Sequence, residues 1–398
     1  MKIFVLLSRV PYPLEKGDKL RAFNQIKELA KSNAIILCAL NPDSNLDKQK
    51  AFSELQPYCH SINFLDLPIH KRIWNMGKAF FGSIPIQAGY FYNNAAAKEI
   101  NRLIKSYKPD HLYCQFIRTT EYIKDINIKK TLDYQDVLSH GLKRRLKNTS
   151  FIKKPFFKME YKRVLNYENK VFDIFDNKTI ISIPDKKLIS HKNRDEIHVI
   201  PNGVDHSFFK PLDREKNVDV VFTGNMAYPP NVDAAEYLIK EIMPIVWKKL
   251  PSTTVLLAGA SPVKRVLSLQ SKLVEVSGWM DDIRDSYSSA LVFIAPMRIG
   301  TGLQNKLLEA MSMKIPSITT PLANDALQAK DNEEILIGCD ANELAYRIIE
   351  LMSNKNLYNN IAQNGYNFVH NNHSWEKATQ KLNEIINYDT KAVNTKRN

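Results

Sequence analysis

Cysteine is scarce in this chain. Only Cys38, Cys59, Cys114 and Cys339 occur among 398 residues, with no CxxC pair and no histidine at zinc-finger spacing. That spread speaks against a disulfide framework or a structural zinc site and leaves reduced thiols. Long apolar runs are also absent, since nothing approaches the roughly 18 uninterrupted residues of a membrane span. The opening Met1 to Arg9 is too short an apolar run for a signal peptide, so a cytoplasmic protein is expected. No GxGxxG follows the first predicted strand and no GxxxxGK is followed by Ser or Thr, which sets aside dinucleotide-binding folds and P-loop NTPases. Glycine (13) and proline (19) are too few for collagen-like or low-complexity sequence.

What is present is a globular composition, 44% apolar and 25% charged. The length exceeds the roughly 250 to 300 residues at which one core stops growing, so two domains are expected. The net charge of +14 is unevenly held: residues 1–200 carry 35 Lys and Arg against 20 acids, a balance of +15, and the rest is nearly neutral. A basic first half suits an anionic partner. Between Lys124 and Lys170 the cations Lys143, Arg144, Arg145, Lys147, Lys153, Lys154, Lys158, Lys162 and Arg163 interleave with Phe151, Phe156, Phe157 and Tyr161. That mixture fits an anionic membrane surface; an ordinary solvated helix fits it too, and no nucleic-acid motif accompanies it.

Short β-rich runs alternate with helical stretches along the whole chain, the pattern of parallel sheets covered by helices. Strands are predicted at Lys2–Ser8, Ala34–Leu40, His111–Phe116, Lys130–Tyr134 and Lys178–Ile183, then at Val218–Thr223, Thr254–Ala258, Leu273–Val276, Leu291–Ile294, Ser317–Thr319 and Ile335–Ile337. Pro201, Asn202 and Gly203 punctuate the chain where the charge balance changes, which places a hinge there. The expected organisation is a first domain over 1–202, a second over 203–372, a returning helix over 373–388 and a disordered polar tail over 389–398.

The segment Arg298-Ile299-Gly300-Thr301-Gly302-Leu303-Gln304-Asn305-Lys306-Leu307-Leu308-Glu309 runs from a predicted strand into a helix. Its glycines allow close backbone approach, and the helix N-terminus with Arg298 and Lys306 favours a diphosphate. Glu309 offers a carboxylate to sugar or ribose hydroxyls. The same residues also fit a plain strand-to-helix turn. Gly17, Asp18, Lys19 and Arg21 stand where the first strand hands over to its helix, and suit either a binding site or a turn and cap.

Taken in order, these motifs make the chain resemble the GT-B glycosyltransferases, specifically the retaining group called family 4 and its bacterial exopolysaccharide sugar transferases. The resemblance spans nearly the whole chain. It is carried by Pro11-Tyr12-Pro13 through Lys16-Gly17-Asp18-Lys19 and Arg21, by Asp133-Tyr134-Gln135-Asp136-Val137, by Asn202-Gly203-Val204-Asp205, by Phe222 to Met226 with Pro230-Asn231-Val232-Asp233, and by residues 300–311. It implies an α/β fold of two Rossmann-like doubly wound domains with a C-terminal helix crossing back to the first. It further implies a metal-independent hexosyltransferase without cofactor, taking a UDP- or GDP-linked sugar to a glycan or lipid-linked acceptor in surface polysaccharide synthesis; the basic, aromatic-studded first half adds the expectation of a peripheral place on the inner face of the plasma membrane. Other readings of the same fold are an inverting transferase, a sugar-nucleotide epimerase or a non-catalytic scaffold subunit.

By the same resemblance the donor would be held by Gly224, Asn231, Gly278, Trp279, Arg298, Gly300, Thr301, Gly302, Lys306 and Glu309. The acceptor would meet Gly17, Asp18, Lys19 and Arg21, and Asp136 and Asp133 would orient or deprotonate its hydroxyl, although either Asp could equally cap a turn. The chain departs from the family at Thr301, where relatives carry the first of two glutamates eight positions apart. No metal ligand set is expected.

Overall fold

Alternation along β1 (Lys2–Leu7) shows how the first domain is built. Phe4 and Leu6 point into one core and Ile3, Val5 and Leu7 into another, so the strand is covered on both faces and is continuously apolar. β2 (Ala34–Asn41) and the centre of β4 (His111–Gln115) alternate likewise between the two cores, while β5 (Lys130–Asp133) and β6 (Asn177–Ile180) are short, mostly buried and carry polar residues. With β3 (Ser61–Asp66) and β7 (His198–Val199) at the edges they form a parallel sheet in the order β3-β2-β1-β4-β5-β6-β7.

The second domain repeats the plan with β8 (Val218–Thr223), β9 (Val255–Ala258), β10 (Val274–Gly278), β11 (Ala290–Ala295), β12 (Ser317–Thr319) and β13 (Leu336–Ile337), ordered β10-β9-β8-β11-β12-β13 and again parallel. Both sheets therefore reverse direction beside their first strand, between β1 and β4 and between β8 and β11. In doubly wound folds that reversal opens the ligand crevice at the strands' carboxyl ends. The expected α/β architecture of two doubly wound sheets is what the chain adopts.

The structure is a computed structural model that describes residues 1–147, 149–300 and 302–394. It divides into one unit of Met1–Pro201 with Ala378–Asn398 and a second of Asn202–Lys377. The helix Trp375–Asn394 sends Ala378, Leu382 and Ile386, one stripe at i, i+4 and i+8, into the core under Ile3 and Val5. The disordered tail expected from Asp389 is corrected in part: the helix continues through Asn394, and 395–398 lie outside the described residues. Two strands were not anticipated. β3 is half-buried up to its exposed last residue, Asp66, and β7 is two residues long, so neither shows a continuous buried apolar run. No helix among the described residues is long and apolar enough to cross a membrane.

Candidate functional site

Three glycines end three neighbouring strands of the second sheet. Gly224 follows β8, Gly259 follows β9 and Gly278 closes β10, and their backbones are laced together by Gly224 N–H to Ala258 O (3.0 Å) and Gly259 N–H to Gly278 O (3.1 Å). Side chains are excluded here by contact: a Cβ on Gly259 would stand 1.9 Å from Gly224 O. A Cβ on Gly224 would stand 2.6 Å from Asn231 Nδ2 and 3.1 Å from Lys306 Nζ. Gly224 thus gives two polar side chains room to reach the strand end.

Those two side chains come from opposite sides of the sheet reversal. Asn231 lies in the helix Pro229–Tyr237 after β8, and Lys306 in the first turn of Asn305–Ser312 after β11. Lys306 Nζ donates to Asn231 Oδ1 (2.6 Å) and sits 4.5 Å from the centroid of Phe222, while Asn231 Nδ2 donates to Asn225 O (3.0 Å). Loss of hydration pulls the Lys306 ammonium down to about 7, although Glu309 opposes the shift. A cation on the edge of deprotonation gains most from an anion that replaces its water.

Glu309 is one turn further along the same helix. Its Oε2 accepts from Tyr287 Oη (2.7 Å), which also meets Thr223 Oγ1 at 2.8 Å. Desolvation raises the Glu309 carboxyl above the usual range, against the pull of Tyr287 and Lys306. Its Oε1 has no protein partner among the described residues. The loop between β11 and the helix takes left-handed backbone at Gly300 (φ 113°) and Gly302 (φ 91°), which glycine adopts without strain. Thr301 lies outside the described residues.

Not every expected donor residue joins this cluster. Arg298 makes a two-pronged pair with Asp233 (3.0 and 3.1 Å), a further pair with Glu241 (3.1 Å), and stacks on Tyr237 at 4.0 Å. It therefore stands in a partly exposed ion-pair cluster rather than beside Lys306. Trp279 is exposed and donates to Asp281 (3.3 Å), and beside it Gly278 (φ 70°) has open space where a side chain would be.

In the first domain, two residues expected in separate roles turn out to be partners. Arg21, read as acceptor-binding, and Asp133, read as catalytic, form a fully buried bidentate pair (2.7 and 3.2 Å), with Tyr113 Oη (3.1 Å) and Thr179 Oγ1 (2.9 Å) also donating to the carboxylate. Neither is open to a substrate, and both assignments are corrected: this is a buried polar network tying the first helix to β5. Lys19 is also buried, Asp18 is paired with Arg9 (2.7 Å), and Gly17 begins the helix Gly17–Leu29. Asp136 remains exposed, just past Gln135, whose φ of 59° is left-handed.

A residue that no motif singled out lies close to this edge. Arg118 is half-buried between the rings of Phe116 (4.2 Å) and Phe91 (5.1 Å), its Nε without a partner, in the field of Arg9, Asp18 and Asp136. Phe116 itself has φ 63°. A bulky residue in left-handed backbone is uncommon, and such strain of about 1 to 3 kcal/mol gathers at functional sites. A small cavity of about 10 Å³, lined by Ser8, Arg9, Asp18, Lys19, Gln115 and Phe116, lies there at the reversal between β1 and β4. Among the described residues no group of three or more His, Cys, Asp or Glu side chains is arranged to hold a metal.

The class of fold these elements define is GT-B. Over 98% of the chain and all of the other protein, it matches a sucrose-phosphate synthase from Thermosynechococcus elongatus with a TM-score of 0.71 at 14% identity. It matches the Anabaena protein HepE, in complex with UDP, with a TM-score of 0.71 at 13% identity, over 98% of this chain and 100% of that one. Residues 217–354 match the family model described as "Glycosyl transferases group 1". A Klebsiella pneumoniae protein, described as an uncharacterized 44.6 kDa protein in the cps region, is 23% identical over 96% of this chain and 98% of its own length.

Proposed function

We propose that this chain is a glycosyltransferase that moves a hexose from a UDP-sugar to a glycan or lipid-linked acceptor in surface polysaccharide synthesis, keeping the anomeric configuration. The observation that carries the reading is Lys306 held by Asn231 against Gly224, a lone desolvated cation at a glycine-lined strand end where a diphosphate fits. The match of residues 217–354 to glycosyl transferases group 1, the UDP bound by HepE and the cps-region relative all support it.

In this mechanism the acceptor hydroxyl attacks the anomeric carbon from the face that the UDP leaves, and a leaving phosphate oxygen takes the hydroxyl proton. No protein nucleophile is needed. The protein supplies position and charge: Lys306 and the backbone amides after Gly302 stabilise the departing diphosphate, and Glu309, steadied by Tyr287, accepts hydrogen bonds from donor hydroxyls. The basic first domain works at the inner face of the membrane.

Calorimetry with UDP and GDP, each with and without EDTA, tests the donor assignment. UDP should bind equally in both buffers and GDP more weakly; binding of neither nucleotide would sink the reading. The anomer of the product, read by NMR, separates retention from inversion. On the acceptor side, Arg118→Met should raise the acceptor KM about tenfold in initial rates while UDP affinity stays put, as expected for one lost charge-assisted contact. An unchanged KM would remove Arg118 from the site.

A further inference from the structure

The helix Ile69–Phe81 buries one of its 13 residues, Ala79, although it carries six large apolar side chains. A helix so composed normally hides one face. Here Ile69, Ile73, Trp74 and Phe81 are each 60% or more exposed, and so are Phe151 and Ile152 in the turn before the helix Lys154–Ile174. The two segments are fastened together: the Arg163 guanidinium donates to the carbonyls of Ala79 (3.0 Å) and Phe80 (2.6 Å), and Phe80 stacks on Phe156 at 6.0 Å.

Both segments lie in stretches without a single acid. Residues 67–98 and 137–159 contain no Asp or Glu and eleven Lys and Arg. Isolated exposed apolar side chains are ordinary, but several on one face ringed by a single sign of charge mark an interaction surface. Beside Trp74 an open pocket of about 450 Å³ is lined by Lys71, Lys78, Asn75, Asn94 and Lys98. Lys78 Nζ lies 5.5 Å from the Trp74 ring, and none of the three lysines has a carboxylate partner among the described residues.

We propose that this face docks the protein on an anionic phospholipid leaflet, with the helix Ile69–Phe81 lying in the interface and a lipid phosphate seated among Lys71, Lys78 and Lys98. Aromatic and aliphatic side chains reach the acyl boundary while the cations stay with the headgroups, which is how an interfacial amphipathic helix gains both apolar burial and charge attraction. Nucleic acid would use the lysines but leave Ile69, Ile73 and Phe81 uncovered in water. The stretch from Lys124 to Lys170, where the sequence alone drew attention, contributes only its Phe151–Phe156 portion to the exposed apolar face. The inference rests on the membrane-side part of the proposed function and not on the reaction.

The experiment is co-sedimentation of the full chain with vesicles of phosphatidylglycerol and phosphatidylcholine in equal parts, against phosphatidylcholine alone, at low salt and at roughly 0.5 M salt. Wild type should pellet with the anionic vesicles at low salt, and much less at high salt or without the anionic lipid. Trp74→Ser with Phe81→Ser should lower the partition at least about tenfold, and Lys71→Glu with Lys98→Glu about tenfold at low salt. UDP affinity and the unfolding temperature, measured on the same samples, should match wild type and show that the variants are folded. Wild type that fails to pellet with anionic vesicles overturns the proposal together with the membrane-side reading. If the aromatic variant pellets as wild type does, the membrane-side reading stands through another surface and this face is not the dock. In either case UDP binding independently decides the donor site.

Discussion

Lys306→Ala should weaken UDP binding roughly 30- to 100-fold, about 2 to 3 kcal/mol, the cost of losing one charge-assisted contact to a diphosphate in a desolvated site. The pH dependence is the sharper signature. In the free protein the ammonium titrates at about 7, because burial penalises its charge. A bound diphosphate favours the charged form and raises that pKa. Binding above pH 7 therefore takes up a proton. As far as Lys306 is concerned, UDP affinity should level off about one pH unit below 7 and should fall as pH rises through 7, by up to about tenfold per unit until the bound-state pKa is reached. Calorimetry at pH 8 in two buffers of different ionisation enthalpy reads the proton uptake directly, and Lys306→Ala should abolish it. Affinity independent of pH in wild type would show that Lys306 does not face the diphosphate.

The second large effect concerns stability. Asp133→Ala should cost about 3 to 5 kcal/mol, because it strands the Arg21 guanidinium in a site with no access to water. For the first domain that corresponds to a drop on the order of 10 °C in the unfolding temperature, measured by calorimetry. Arg21→Met combined with Asp133→Leu should recover most of it, since a buried pair is replaced more cheaply than it is broken. Molecules of Asp133→Ala that remain folded at low temperature should turn over normally. Lost turnover with unchanged stability would restore Asp133 to the chemistry.

The contrast between these two sites shows which information the chain displays openly. Lys306 and Glu309 were legible because a glycine-rich turn between a strand and a helix has few uses, and the spacing of the cation and carboxylate follows the helix. Arg21 and Asp133 were equally visible as polar residues in motifs, yet a sequence shows polarity and not burial, and the pairing spans 112 positions. Arg118 and Tyr287 belong to no motif at all. Their placement arises from two Phe rings and from a carboxylate 22 residues away, contacts that only the folded chain creates. For the strands, β1 and β2 announced themselves by unbroken apolar runs, while the edge strands β3 and β7, half-wet or very short, did not.

Gly203 carries a consequence of another kind. A Cβ there would lie 2.3 Å from Trp375 N, and Val204 N–H donates to His373 O (2.9 Å), so the stretch entering the second domain runs beside the stretch leaving it. The second domain thus begins and ends at one doorway, like a cassette slotted into a single position of the chain. A block cut between Gly203 and Ser374 leaves the first sheet and the whole helix Trp375–Asn394 intact, so the second sheet can be exchanged without severing an element of the first.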